Sequence, residues 1–150
     1  AFKAEIVAND ERETIEREDA KSRKILNFGH TVAHALEKIT EYKYFKHGEA
    51  VGYGILVAGE IAKKVANLGQ NELTLLNDVV SLTGNLPNCK NIEAEKVIKA
   101  FAFDKKNVGD SLQWILLEEI GKPKIVMNNE MPPTVISEAV KTVLEKQYTS

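Results

Sequence analysis

Between about Glu49 and Asn67 the chain carries Val51, Ile55, Ala58, Ile61, Ala62 and Val65 at helical spacing, with Gly52 and Gly54 set into the same run. The periodicity predicts one long, apolar helix. Each glycine weakens that helix by about 1 kcal/mol relative to alanine. The usual reason to keep such glycines is close backbone packing, here next to His47.

The flanking segments predict what surrounds it. Ile25–Gly29 leads into a helix with Val32, Ala33, Leu36 and Ile39 on its apolar face, and Glu41–Lys46 forms an aromatic connection. Beyond the long helix, Gly69 is expected to close it and Asn71 to cap the next. That next helix runs through Leu73, Leu76, Val79 and Val80 to Gly84, and a turn containing Pro87 follows. A further helix is expected from about Ile92 to Phe103. Leu112–Leu117 and Lys124–Met127 then change period and read as short strands joined through Ile120-Gly121-Lys122-Pro123. Pro132-Pro133-Thr134 opens a last helix through Ile136, Ala139, Val140, Val143 and Leu144. Residues 1–8 look helical, and the charged stretch from Asn9 to Lys24 reads as a solvated face. The fold class is therefore mainly α with one small β-hairpin, a single domain over residues 1–150.

Composition narrows the function. A net charge of -2 and a pI near 6.0, with lysine and arginine spread along the chain, give no electrostatic reason to expect nucleic acid or an anionic membrane. The single cysteine, Cys89, cannot form an internal disulfide, which fits a reducing cytoplasm. Cys89 has only Lys90 beside it as a potential activator, and an inert thiol is expected. The chain begins on Ala1 in what reads as mid-helix, so a piece of a longer protein is expected.

All three histidines lie in one segment, as Gly29-His30-Thr31-Val32-Ala33-His34 and then His47-Gly48-Glu49. His30 and His34 are at i and i+4, on one face of a helix. Imidazole is the commonest ligand for zinc-type metals and titrates near neutrality, so a metal or proton-transfer site is the first expectation. An i,i+4 histidine pair is weak evidence alone. The threonine after His30 excludes the zinc-protease pattern, which needs a glutamate there. His47 in its glycine-rich setting makes a three-histidine site the reading that spacing alone suggests.

Leu26-Asn27-Phe28-Gly29-His30-Thr31-Val32-Ala33-His34-Ala35-Leu36-Glu37, with His47-Gly48-Glu49-Ala50-Val51, closely resembles the dehydroquinate synthase family. Lys3–Val7 with Asp10–Glu13, Asp104-Lys105-Lys106 and the Trp114 hairpin extend the resemblance over most of the chain; the histidine motif is the most specific part. That family pairs an N-terminal Rossmann-like half, which binds NAD, with a helical C-terminal half. The resemblance covers only the second half, and the site lies in the cleft between the two.

The resemblance implies a lyase of the shikimate pathway that turns 3-deoxy-arabino-heptulosonate 7-phosphate into 3-dehydroquinate and phosphate, with NAD restored at each turnover. His30 and His47 resemble ligands of a catalytic zinc or cobalt, the third ligand being a glutamate in a segment before this one. His34 resembles a group that faces the substrate and aids proton transfer, which replaces the three-histidine site. Lys3 and Arg23 resemble cations that hold the substrate carboxylate, a role suited to the arginine fork. Asn27 and Lys106 resemble groups on the phosphate side. The whole protein is expected to be a cytoplasmic homodimer; the isolated chain is expected to be inactive.

Two departures stand out. Ala33 replaces the usual glycine, and the stretch from Glu13 to Arg23 is longer than the family turn. The acidic residue facing the substrate could therefore be Glu13, Glu18 or Asp19. Related sugar phosphate cyclases are the nearest rival; Arg23 favours the keto-acid, since the rivals have no substrate carboxylate to hold, and so does Asn27, where the rivals commonly carry a glutamate or aspartate. Alcohol dehydrogenases of the glycerol dehydrogenase type would not need Lys3, Arg23 and Lys106 together. A helical metal-binding domain without catalysis is the remaining alternative.

Overall fold

The computed structural model describes the backbone of residues 23–108 and 112–146, and the side chains of 25–101 and 112–146. The expected helix over 1–8 lies outside the described residues, as does most of the charged stretch after it. A 3-10 turn (Arg23–Asn27) leads into α1 (His30–Ile39), α2 (His47–Val65), α3 (Gln70–Leu82) and α4 (Ala94–Val108). The hairpin β1 (Gln113–Glu119) and β2 (Lys122–Met127) follows, then a second 3-10 turn (Asn128–Glu130) and α5 (Pro133–Glu145). The mainly helical architecture with one hairpin is as the periodicity predicts.

The long apolar helix α2 forms the centre and packs against α1, α3, α5 and β1. More than half of its 19 residues are buried, as a helix apolar on nearly every side must be. Its glycines do different work. A Cβ on Gly54 would stand 1.9 Å from the carbonyl oxygen of Gly29, and one on Gly29 would meet the Val51 carbonyl oxygen at 2.9 Å. Gly29 also has φ +82, a left-handed conformation that glycine adopts freely. The expected close backbone approach is thus Gly54 against Gly29, at the entry to α1, directly before His30. Gly52 makes no backbone contact of this kind; the Leu86 side chain fills the space over it.

Several boundaries move, each for a local reason. Two consecutive left-handed residues, Glu41 (φ 56) and Tyr42 (φ 59), turn the chain after α1, at about 1–2 kcal/mol each. Phe45 then buries itself with its ring 5.9 Å from that of Tyr53, and α2 begins at once with His47, earlier than expected. After α2, Asn67 takes the left-handed position (φ 58), a conformation asparagine tolerates better than most residues. Gly69 is therefore not the stop signal of α2 but the N-cap of α3, and Asn71 falls inside that helix and caps nothing. Leu73, Leu76 and Val80 form the buried face of α3, while Val79 is half exposed. Helix α4 continues past Phe103 to Val108.

The hairpin turns on Ile120-Gly121 alone, with Gly121 at φ +86. Lys122 and Pro123 belong to β2, Pro123 lying opposite Leu117 beside an irregularity at Leu117/Glu119. A two-stranded ribbon has free edges that tolerate a proline without an N–H donor. Trp114 is core, 2% exposed, with its indole N–H donating to Asn128 Oδ1 at 2.9 Å. No helix among the described residues is long and apolar enough to cross a membrane.

Cys89 is buried, and that burial pushes its thiol up, outweighing the Tyr53 hydroxyl beside it. A thiol held protonated and shielded reacts slowly. Iodoacetamide at pH 7.5 is expected to alkylate Cys89 at least about tenfold more slowly in the folded protein than in denaturant, as followed by mass spectrometry. Gly54→Ala is expected to destabilise the fold by about 3 kcal/mol or more, since its Cβ meets backbone that cannot rotate away. Thermal unfolding should fall by roughly 10 °C for a domain of this size.

Candidate metal and substrate site

The Gly29–Gly54 contact decides where the first residues of two helices lie. His30 opens α1 directly after Gly29, and His47 opens α2. Their rings are 5.1 Å apart between centroids, at an interplanar angle of 61°. Two imidazoles on one tetrahedral zinc, each nitrogen about 2.0–2.1 Å from the ion, put their ring centres about 5 Å apart. The spacing therefore fits a shared ion.

The hydrogen bonds agree with the spacing. His30 Nδ1 lies 3.3 Å from the Phe28 carbonyl oxygen, and His47 Nδ1 lies 2.6 Å from Glu37 Oε1. A carbonyl or carboxylate oxygen accepts, so each Nδ1 must carry the proton it donates. In the neutral ring this leaves the Nε2 lone pair available, the state a metal ligand needs. Among the described residues, no group of three His, Cys, Asp or Glu side chains could hold an ion. These two histidines thus fit a metal as two ligands, with any third coming from elsewhere.

His34 is placed differently. It is exposed on the next turn of α1, its ring 5.9 Å from His30. It faces an open depression of about 290 Å³ between the start of α1 and the hairpin. Asn27, His30, Thr31 and His34 line one side, Leu112 and Gln113 the other. Thr31 Oγ1 donates to the Gln113 carbonyl oxygen at 2.9 Å, holding the hairpin against α1. His47 is not part of this lining, but its ring is 5.1 Å from that of His30, which is.

The remaining expected residues are less fully placed. Asn27 is exposed at the end of the first 3-10 turn, on the depression. Arg23 opens that turn and Lys106 lies on α4, with their backbones alone described. Lys3 lies outside the described residues, as do Glu13, Glu18 and Asp19. Two contributors were not singled out from the sequence. Glu37 offered one signal, a charge among the buried positions Val32, Ala33, Ala35 and Leu36 of its helix. Gln113 offered none, because its place depends on how the hairpin docks.

The site is also electrostatically biased. Both α1 and α2 present their N-terminal ends where His30 and His47 meet, and helix N-termini favour negative charge. Glu49 moderates this at α2 by accepting a hydrogen bond from the Lys46 backbone N–H at 2.8 Å. An anionic ligand carrying phosphate or carboxylate suits such a place, close to imidazoles that can hold a metal or move a proton.

Comparison with known proteins gives the family. Residues 1–107 match the family model described as 3-dehydroquinate synthase C-terminal. The chain is 39% identical over 132 residues to the 3-dehydroquinate synthase of Leptospira interrogans (serovar copenhageni), covering 86% of this chain and 34% of that protein. Against the enzyme of Campylobacter hominis it is 36% identical over 141 residues, 93% of this chain and 38% of the relative. The chain thus spans about a third of the length of the curated relatives it matches. Among solved structures, 2-epi-5-epi-valiolone synthase from Streptomyces hygroscopicus, with NAD+ and Zn2+ bound, superposes with a TM-score of 0.69 at 22% identity, over 96% of this chain and 37% of that one. A 2-deoxy-scyllo-inosose synthase complexed with carbaglucose-6-phosphate, NAD+ and Co2+ gives 0.60 at 22% identity, over 79% of this chain and 33% of that one. At these identities the two structures bear on fold alone, and they share it. By sequence, the chain belongs to the 3-dehydroquinate synthase C-terminal family.

Proposed function

We propose that this chain forms one wall of a 3-dehydroquinate synthase active site, acting on 3-deoxy-arabino-heptulosonate 7-phosphate. The observation that carries the reading is the pair His30 and His47, 5.1 Å apart with each Nδ1 engaged. In this reading the two Nε2 atoms hold a zinc or cobalt ion, and a glutamate from a preceding segment completes the set. A preceding Rossmann-like half would bind NAD and close the other side of the cleft. When bound, NAD takes and returns a hydride at a ring hydroxyl, and the metal polarises that oxygen.

The chain's own residues have separable tasks. His34, on the exposed side of α1, holds and moves a proton at the substrate while phosphate leaves by β-elimination. Asn27 and Lys106 donate to the phosphate oxygens; Lys3 and Arg23 pair with the carboxylate. The depression that His30 and His34 line, between the start of α1 and the hairpin, gives the substrate its place. The complete protein would work as a homodimer in the cytoplasm, and the 150-residue chain alone would bind metal weakly and turn over nothing detectable.

A second reading is a related sugar phosphate cyclase, since one structural neighbour is a 2-deoxy-scyllo-inosose synthase complexed with carbaglucose-6-phosphate. A neutral sugar phosphate needs no carboxylate clamp, so Arg23 separates the two readings. Phosphate release by the complete gene product, supplied with NAD and zinc, tests both. Release from the keto-acid phosphate, with neutral sugar phosphates inert, is expected. Release from a neutral sugar phosphate only would overturn the proposal and the role of Arg23.

His34→Ala is expected to lower kcat about 10²- to 10⁴-fold, the usual share of a general acid–base group. Metal affinity should stay within about twofold of the parent, because His34 is assigned no ligand role. His30→Ala and His47→Ala are expected to weaken Co2+ binding by more than about 100-fold in chelator competition.

A further inference from the structure

Glu37 is the only charged residue buried among the described residues, at 8% exposed. It lies on the face of α1 otherwise made of Val32, Ala33, Ala35 and Leu36, where an apolar residue would be the ordinary choice. A buried carboxylate is costly unless it is paired and hydrogen-bonded. Its partner is His47 Nδ1, at 2.6 Å. The backbone at Glu37 is pinned too: its carbonyl oxygen accepts from the Tyr42 N–H at 2.7 Å and from Thr40 Oγ1 at 3.2 Å. The carboxylate is thus held at the end of α1, aimed at the first residue of α2.

We propose that Glu37 is a positioning residue of the metal site, acting through His47. This role rests on His30 and His47 being metal ligands, as proposed above. An ionised carboxylate can only accept a hydrogen bond, so it keeps the proton of His47 on Nδ1 and leaves Nε2 free to bind. It also fixes the ring's rotation, which the exposed edge of His47 would otherwise leave loose, and makes Nε2 a stronger donor to a cation. His30 has only a backbone carbonyl in the corresponding place, at 3.3 Å. The two ligands are therefore oriented unequally, and the one on the more exposed side has the charged partner.

The test uses the complete gene product and the variants Glu37→Gln, Glu37→Ala and His47→Ala. Co2+ and Zn2+ affinities are measured by chelator competition, the Co2+ visible spectrum is recorded, and unfolding of the metal-free protein is followed. Glu37→Ala is expected to weaken both metals about 10- to 100-fold. Glu37→Gln, whose amide oxygen still accepts from Nδ1, should recover most of that loss while keeping the metal-free unfolding temperature of the parent. In Glu37→Ala the Co2+ spectrum should change in shape, reporting an altered ligand geometry. If Glu37→Ala binds both metals within twofold of the parent and only its unfolding temperature falls, the pair is structural and the proposal is wrong. If His47→Ala also leaves Co2+ affinity unchanged, the metal reading fails as well. Should Glu37→Ala not fold, Glu37→Gln decides. A Gln variant that folds like the parent but binds Co2+ as weakly as His47→Ala would show that the acceptor geometry alone cannot orient the ring, against the mechanism proposed.

Discussion

The backbone of α2 passes so close to the entry of α1 that neither Gly29 nor Gly54 can carry a side chain without collision. Everything at the candidate site follows from that contact. Gly29 is left-handed and immediately precedes His30, so the approach sets both the start of α1 and the direction of its first side chain. The same helix, α2, begins with His47, and the buried ring of Phe45 fixes where that beginning lies. Two first residues of two helices are thus held within one ion's reach by packing that involves neither of them.

The arrangement joins stability and chemistry through one helix. α2 is the central core element and touches α1, α3, α5 and β1. Its N-terminal residue is nonetheless exposed enough for its ring to face outward. A buried body and an open end let the core position a ligand without covering it. The hairpin contributes in the same way: Trp114 is packed into the interior, while Gln113, the adjacent residue, holds Thr31 and borders the depression beside His34. Alternation along a strand puts neighbours on opposite faces, so anchor and rim can be consecutive residues.

Much of the fold was legible because helical periodicity is local. The apolar residues of α1, α2, α4 and α5, and the change of period at Leu112, each declare their element within a dozen residues. The boundaries were less legible, since competing residues could serve as stop or cap. Gly69 and Asn71 looked like a C-terminal stop and an N-cap, yet Asn67 made the left-handed turn and Gly69 took the cap position. Gly52 and Gly54 looked equivalent in sequence; only one of them meets backbone.

The amino-acid sequence by itself determined the helical class, the hairpin and the gathering of His30, His34 and His47 into one motif, because each is written in residues close along the chain. It also carried the family resemblance, which needs only the order of side chains. The resemblance paired His30 with His47 and set His34 apart; tertiary structure put the two rings together and His34 on the depression with Asn27, and it alone decided that Glu37 lies against His47 Nδ1. Those pairings depend on how two helices cross. The crossing is set by steric exclusion between backbones that are distant in sequence, and no local pattern encodes that distance.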